Sequence, residues 1–220
     1  KAFVPDWSTG KKVNFIAHSF GGNTVRLLST LLAEGSAEEI AATEQGNLSP
    51  LFAGGNNGLI HSITTLASPH NGTTLTAVLN TSQGSDFMVA AYYVLALAGR
   101  TDLQNLYDFG LSGWDIETGE QTIDKEKIKA LASTADTGVY DLTLKGAAEL
   151  NMKIKMYSDI YYYSYAGCAT VKDEKTGRHV PVNLLDMTSV TAYAIGSFTG
   201  EADGYMVDES WLPNDGIVNT

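Results

Sequence analysis

The first clear apolar block is Val13-Asn14-Phe15-Ile16-Ala17, which reads as a short buried strand. After Gly21 and Gly22, residues Val25, Leu27, Leu28, Leu31 and Leu32 recur at helical spacing until Gly35, so the pattern predicts a strand, a sharp turn and a helix. Ser36 with Glu39 three residues on forms a capping box that opens a second helix through Ile40 toward Glu44. A loop rich in Gly and Asn, Gly46 to Gly58, leads to a β-branched run from Ile60 to Ala67, read as another core strand. Strand, helix, strand in this order favours a mainly parallel sheet. Further on, Ile128 to Ala132 and Ala147 to Ile154 read as helical, Ile160 to Tyr165 as an aromatic-rich strand, and "KDEKTGR" (172–178) as a charged turn.

One segment fits two roles. "DFMVAAYYVLALA", Asp86 to Ala98, is apolar on more than one helical face, with Phe87, Met88, Ala91, Val94, Leu95 and Ala98 on the densest side. It is too short to cross a membrane, and reads either as a core helix or as a mobile lid over an apolar pocket.

With 220 residues, 44% of them hydrophobic, the chain is long enough for one sizeable core, so a single domain is expected. A formal charge of −11, from 14 Lys+Arg against 25 Asp+Glu, and the absence of any long run of like charge argue against nucleic acid and anionic membranes as partners. The single cysteine, Cys168, excludes an intrachain disulfide framework and a thiolate-rich zinc site. A chain that opens on Lys1 reads as lacking its true beginning, so a removed signal peptide is neither seen nor excluded.

The candidate chemistry lies in "IAHSFGG", residues 16–22. A strand that turns abruptly into a helix through x-Ser-x-Gly needs small flanking residues, and Ala17 and Gly21 hold those positions. Such a turn lifts Ser19 Oγ to the carboxyl edge of the sheet, where the Phe20 N–H and the helix dipole stabilise a developing oxyanion. The plainer alternative is a glycine-rich turn carrying an ordinary N-cap serine.

The four histidines are then weighed as bases for Ser19. His18 is adjacent, but neighbouring side chains at a strand end point to opposite sides. His61 alternates with Ile60 and Ile63 inside a strand and reads as a packed or edge residue, and His179 falls in a polar turn. His70 in "SPHNGTT" sits just beyond a strand's carboxyl end, yet in an α/β-hydrolase the order is Ser, then acid, then His, so His70 comes too early. The acid candidate is Asp215 in "WLPNDGIVNT", although an Asp-Gly pair is ordinarily only a turn. No histidine follows it before Thr220, so on a hydrolase reading the base lies beyond residue 220.

The blocks "AHSFGGNTVRLL", "SPLFAGG", "ASPHNGTTL", "YDFGL", "STADTGVYDL", "AAELN" and "WLPNDGIVNT" resemble, in order, those of zinc-containing bacterial lipases of the thermoalkalophilic Bacillus-group and staphylococcal type. The likeness covers nearly the whole chain. It implies an α/β-hydrolase fold with a mainly parallel central sheet, ester hydrolysis by a Ser-Asp-His triad, a helical lid and a small zinc-bearing insertion. The chain would be one partial domain, 1–220, with the lid and insertion over roughly 75–157.

Position by position, the resemblance assigns the nucleophile to Ser19, the triad acid to Asp215 and one oxyanion donor to the backbone N–H of Phe20. Many family members carry glutamine where Phe20 stands, which leaves the backbone donor intact and makes the pocket edge more apolar. The triad histidine and the other oxyanion donor fall outside 1–220. Of four zinc ligands, two Asp and two His, only one matches here, Asp136. Calcium is also possible, with no ligand assigned. The resemblance thus implies a secreted carboxylic ester hydrolase acting on lipids or other apolar acyl esters, synthetic polyesters among them, that meets a lipid–water interface through its lid. The alternatives are a short-chain carboxylesterase and a non-catalytic binding module on the same fold. Oligomeric state is open.

Overall fold

A computed structural model describes residues 7–44, 46–79, 134–135 and 137–220. Three parallel strands form its central sheet in the order β1 (Val13–His18), β2 (Ile60–Leu66) and β3 (Tyr161–Tyr165). Ala17 pairs with Thr65 and Thr65 with Ser164, so the carboxyl ends of the three strands lie level along one edge. β1 and β2 are joined through α1 (Phe20–Glu34), which packs back on both, and through α2 (Ala37–Ala42). Only the serine half of the expected capping box is formed: Ser36 Oγ accepts the Glu39 N–H at 3.2 Å, while the Ser36 N–H donates to Phe52 O at 3.0 Å and not to the Glu39 carboxylate. The expected loop from Gly46 to Gly58 holds two short 3-10 turns, Pro50–Phe52 and Asn57–Leu59.

The apolar stripe of α1 and the inward face of β2 make the main core. Leu32, Leu59, Ile60, Ile63 and Ile160 are buried together, with Trp7, Phe15, Val25, Leu28, Tyr157 and Tyr162 packed around them. Toward the carboxyl end of the opposite sheet face, Ile16, Thr64 and Tyr163 are register partners, and Ile16 is 76% and Tyr163 51% exposed.

Among the described residues, four further short helices and two hairpins follow β2 and β3 along the chain. α3 (Leu75–Leu79) follows β2, and α4 (Gly138–Leu142) leads through Thr143 into α5 (Leu144–Lys153). α5 begins three residues before the expected helix because Thr143 Oγ1 caps it, accepting the Gly146 N–H at 3.0 Å. The charged turn 172–178 joins the antiparallel strands β4 (Thr170–Lys172) and β5 (His179–Pro181). His179 is thus the first residue of a strand and not part of the turn. α6 (Ser189–Ile195) packs on β5, and β6 (Gly200–Ala202) pairs with β7 (Tyr205–Val207) across Asp203-Gly204. The segments 86–98 and 128–132, expected as helices, lie outside the described residues.

Candidate active site

Ser19 stands at the junction of β1 and α1 with φ 55° and ψ −134°, a left-handed conformation that a non-glycine residue adopts at a cost of about 1–3 kcal/mol. Its N–H donates to Leu66 O at the end of β2 (2.9 Å), and its own carbonyl accepts the Gly22 N–H at 3.0 Å. The serine occupies the position of a helix N-cap, but its side chain makes no capping hydrogen bond. Phe20 opens α1 and so contributes one of the leading N–H groups that have no intrahelical acceptor. Its ring lies against the start of α4, since a Cβ on Gly138 would sit 3.4 Å from Phe20 Cε1.

Of the two glycines after the serine, Gly22 makes the tight approach. A Cβ there would lie 2.1 Å from Ser68 Oγ and 3.0 Å from Thr65 Cγ2, whereas one on Gly21 would meet only Ala17 Cβ, at 3.8 Å. The nucleophile turn therefore rests on the end of β2 and the loop that follows.

Asp215 lies beside the segment following β3, its Cβ 3.7 Å from where a Cβ on Gly167 would be. Oδ1 accepts the N–H groups of Ile217 (2.9 Å) and Val218 (2.7 Å), which fixes the carboxylate on its turn. The turn is built on Asn214, fully buried at 0% exposure, whose amide donates to Ala192 O and Leu212 O and accepts the Gly216 N–H. Gly216 has φ 101°, and a Cβ there would come within 2.5 Å of Thr188 Oγ1. Ser19 and Asp215 thus stand at the carboxyl ends of β1 and β3 with β2 between them, on the order of 10 Å apart by strand spacing. No hydrogen bond joins the two directly, and that gap is wide enough for one imidazole.

None of the four histidines bonds to Ser19. His18 is exposed, and His61 is exposed with its ring edge-on to Tyr161 at 5.3 Å. His179 Nδ1 lies 3.4 Å from Thr170 Oγ1. Both ring nitrogens of His70 are engaged, Nδ1 by Arg26 at 3.0 Å and Nε2 by Thr65 Oγ1 at 2.9 Å. Burial and the neighbouring Arg26 charge push its pKa down to about 4, so the ring is neutral near pH 7. Both nitrogens of His70 are thereby occupied away from Ser19.

A cleft of about 390 Å³ opens between the loops that follow β2 and β3, lined among others by Ser68, His70, Ser164, Trp211 and Asn219. Among the described residues, no group of three or more His, Cys, Asp or Glu converges to hold a metal ion. Asp136 lies outside the described residues, one position before the Thr137 that caps α4. The described residues alone thus bring together no ligand set for zinc or calcium. Nor, among the described residues, is any helix long and apolar enough to cross a membrane.

Comparison with known proteins matches residues 1–220 to a family model described as the C-terminal domain of lipase-like proteins. A lipase of Staphylococcus hyicus is 35% identical over 98% of this chain, and lipase 1 of Staphylococcus aureus (strain MRSA252) is 35% identical over 97%. The chain spans only 33% and 31% of those two proteins. EstA from Clostridium botulinum superposes with a TM-score of 0.76 at 34% identity, covering 97% of this chain and 52% of its own. The Staphylococcus hyicus lipase structure gives 0.73 at 37% identity, covering 97% and 54%. Lipase 1 from Pelosinus fermentans gives 0.69 at 40%, covering 95% and 56%.

Proposed function

The chain belongs to the lipase-like C-terminal domain family, and on that premise we propose that it carries the nucleophile and the acid of a serine hydrolase for apolar acyl esters, lipids foremost. The observation that carries the reading is Ser19 itself, held at positive φ between a strand and a helix with its hydroxyl unspent on capping. In this reading Ser19 Oγ attacks the ester carbonyl carbon while an imidazole takes its proton. The oxygen of the tetrahedral adduct gains the Phe20 N–H and the positive end of α1. Collapse expels the alcohol, protonated by the same imidazole, and water then releases the acid from the acyl-serine. Asp215 keeps the imidazole oriented, its own carboxylate being fixed by the Ile217 and Val218 N–H groups. In this reading the imidazole belongs to a residue outside 1–220, consistent with the lack of any bond from His18, His61, His70 or His179 to Ser19.

The apolar segment 86–98 acts in this reading as a lid that meets the lipid–water interface, and secretion belongs to the same reading. Zinc bound in part by Asp136 would have a structural role, closed by protein ligands and activating no water. Calcium is left without assigned ligands.

The experiment is labelling of the full-length gene product with an organophosphonate. Modification should map to Ser19, and Ser19→Ala should lower turnover of a p-nitrophenyl ester by several orders of magnitude. Labelling elsewhere, or undiminished turnover of the Ser19→Ala protein, would refute Ser19 as the nucleophile, and a full-length protein that neither labels nor turns over ester would favour the binding-module alternative. The same assay carried across the solubility limit of the ester tests the lid. A rate jump supports it, and a smooth curve with preference for short chains favours the carboxylesterase.

A further inference from the structure

The loop beneath the nucleophile turn is tied down by a hydrogen-bond chain with a fixed direction. Arg26, inside α1, is half-buried, and among the described residues no carboxylate pairs with it. Its Nη1 lies 3.0 Å from His70 Nδ1. A guanidinium only donates, so Nδ1 must offer its lone pair, and the ring proton must sit on Nε2. Nε2–H then donates to Thr65 Oγ1 (2.9 Å), and the Thr65 hydroxyl donates to Tyr163 O at 3.3 Å.

The other tautomer would aim Nδ1–H at Asn23 Oδ1, 3.2 Å away, but it would also set that N–H against the Arg26 donor. The amide of Asn23 cannot turn to relieve this, because its Nδ2 donates to Pro69 O at 3.0 Å, and Asn23 is 1% exposed. A doubly protonated ring would set cation against cation.

α1, β2 and β3 are thus joined through one neutral imidazole. Asn151 on α5 adds a fourth tie, its Nδ2 donating to His70 O at 2.7 Å. What these ties hold is the shelf of the nucleophile turn. Thr65 and Ser68 lie directly against Gly22, and Leu66 O accepts the Ser19 N–H.

We propose that His70 is a positioning residue for Ser19, locked by Arg26 as the Nε2–H tautomer and setting the height of the shelf through Thr65. The kinetic part rests on the serine-hydrolase reading, whereas the tautomer does not.

The test begins on the unmodified full-length protein labelled with 15N-histidine. At neutral pH, His70 should show a pyridine-type Nδ1 and a pyrrole-type Nε2, and it should titrate near pH 4. Arg26→Met should move that midpoint upward. His70→Phe should lower kcat on the order of 10- to 100-fold with little change in KM, because a small displacement of a nucleophile costs rate and not binding. His70→Gln should restore most of the loss, since its amide offers an acceptor and a donor at nearly the spacing of the two ring nitrogens. A protonated Nδ1 in the free protein overturns the tautomer, whatever the activity. A His70→Phe protein that folds and keeps its kcat, or a Gln variant no better than Phe, overturns the positioning role. If Ser19→Ala itself leaves turnover intact, the hydrolase reading fails while the tautomer result stands.

Discussion

Gly22→Ala isolates the contact on which the nucleophile turn rests. The added methyl would lie 2.1 Å from Ser68 Oγ, 2.7 Å from Ser68 Cβ and 3.0 Å from Thr65 Cγ2, where carbon atoms ordinarily keep about 3.5–4.0 Å. Rotating the Ser68 hydroxyl removes only the first clash. Its Cβ moves only with the backbone, and that backbone is held by Ala67 N–H to Tyr165 O (2.8 Å), His70 N–H to Ser68 O (2.9 Å) and Asn23 to Pro69 O (3.0 Å). α1 and the loop must then part by roughly 1 Å, an overpacking that costs about 1–3 kcal/mol. The better helix propensity of alanine returns up to about 1 kcal/mol. The net loss of about 1–2 kcal/mol should appear in a denaturant melt of the full-length protein. Because the displaced α1 carries Ser19 and Phe20 with it, ester turnover should fall on the order of 100-fold, more than the stability loss explains. Gly21→Ala is the control: its methyl would reach only Ala17 Cβ at 3.8 Å, ordinary contact, so stability should hold or rise. A Gly22→Ala protein with wild-type melting and turnover, or a Gly21→Ala protein less stable than it, would refute the assignment of the tight contact.

Three other changes probe the acid side and the metal. Asn214→Ala orphans the Leu212 carbonyl and the Gly216 N–H inside a buried turn, leaves the Ala192 carbonyl with only the Gly196 N–H, and should destabilise by about 3 kcal/mol. Asp215→Ala should cost activity with a smaller drop in melting temperature, and equal melting of the two variants would contradict Asn214 as the hub. Asp136→Ala should lower the zinc content and melting temperature of the full-length protein while sparing low-temperature turnover. Unchanged zinc by mass spectrometry would leave Asp136 without a metal role.

What could be read from the chain was whatever depends on neighbours in sequence. β1, α1, the Ser36 cap, β2 and β3 each announce themselves by periodicity or by a cap three residues away, and the serine turn follows from their order. The contacts that specify the site are long-range, and there the local rule pointed one residue astray. The x-Ser-x-Gly pattern singles out Gly21, while the methyl-free surface that matters is that of Gly22, because Ser68 and Thr65 arrive from the far side of a strand–helix crossover. Asn214 looked like the lead-in to an Asp-Gly turn. Its burial depends on α6 and on the loop before β4, neither of which leaves a mark near "PND".

His70 is the most instructive case. Chain order removed it as the base of a triad, and the structure places it under the nucleophile all the same. Its donors and acceptors come from α1 and β2, so no window of sequence around "SPHNGTT" contains the two groups that decide its protonation. A histidine at a strand's carboxyl end beside a reactive serine has two ways to matter: it can move a proton or hold a loop. The presence of a permanent donor at Nδ1 chooses between them, because a nitrogen that must accept from arginine is unavailable to accept a proton from serine, and the remaining nitrogen already carries one.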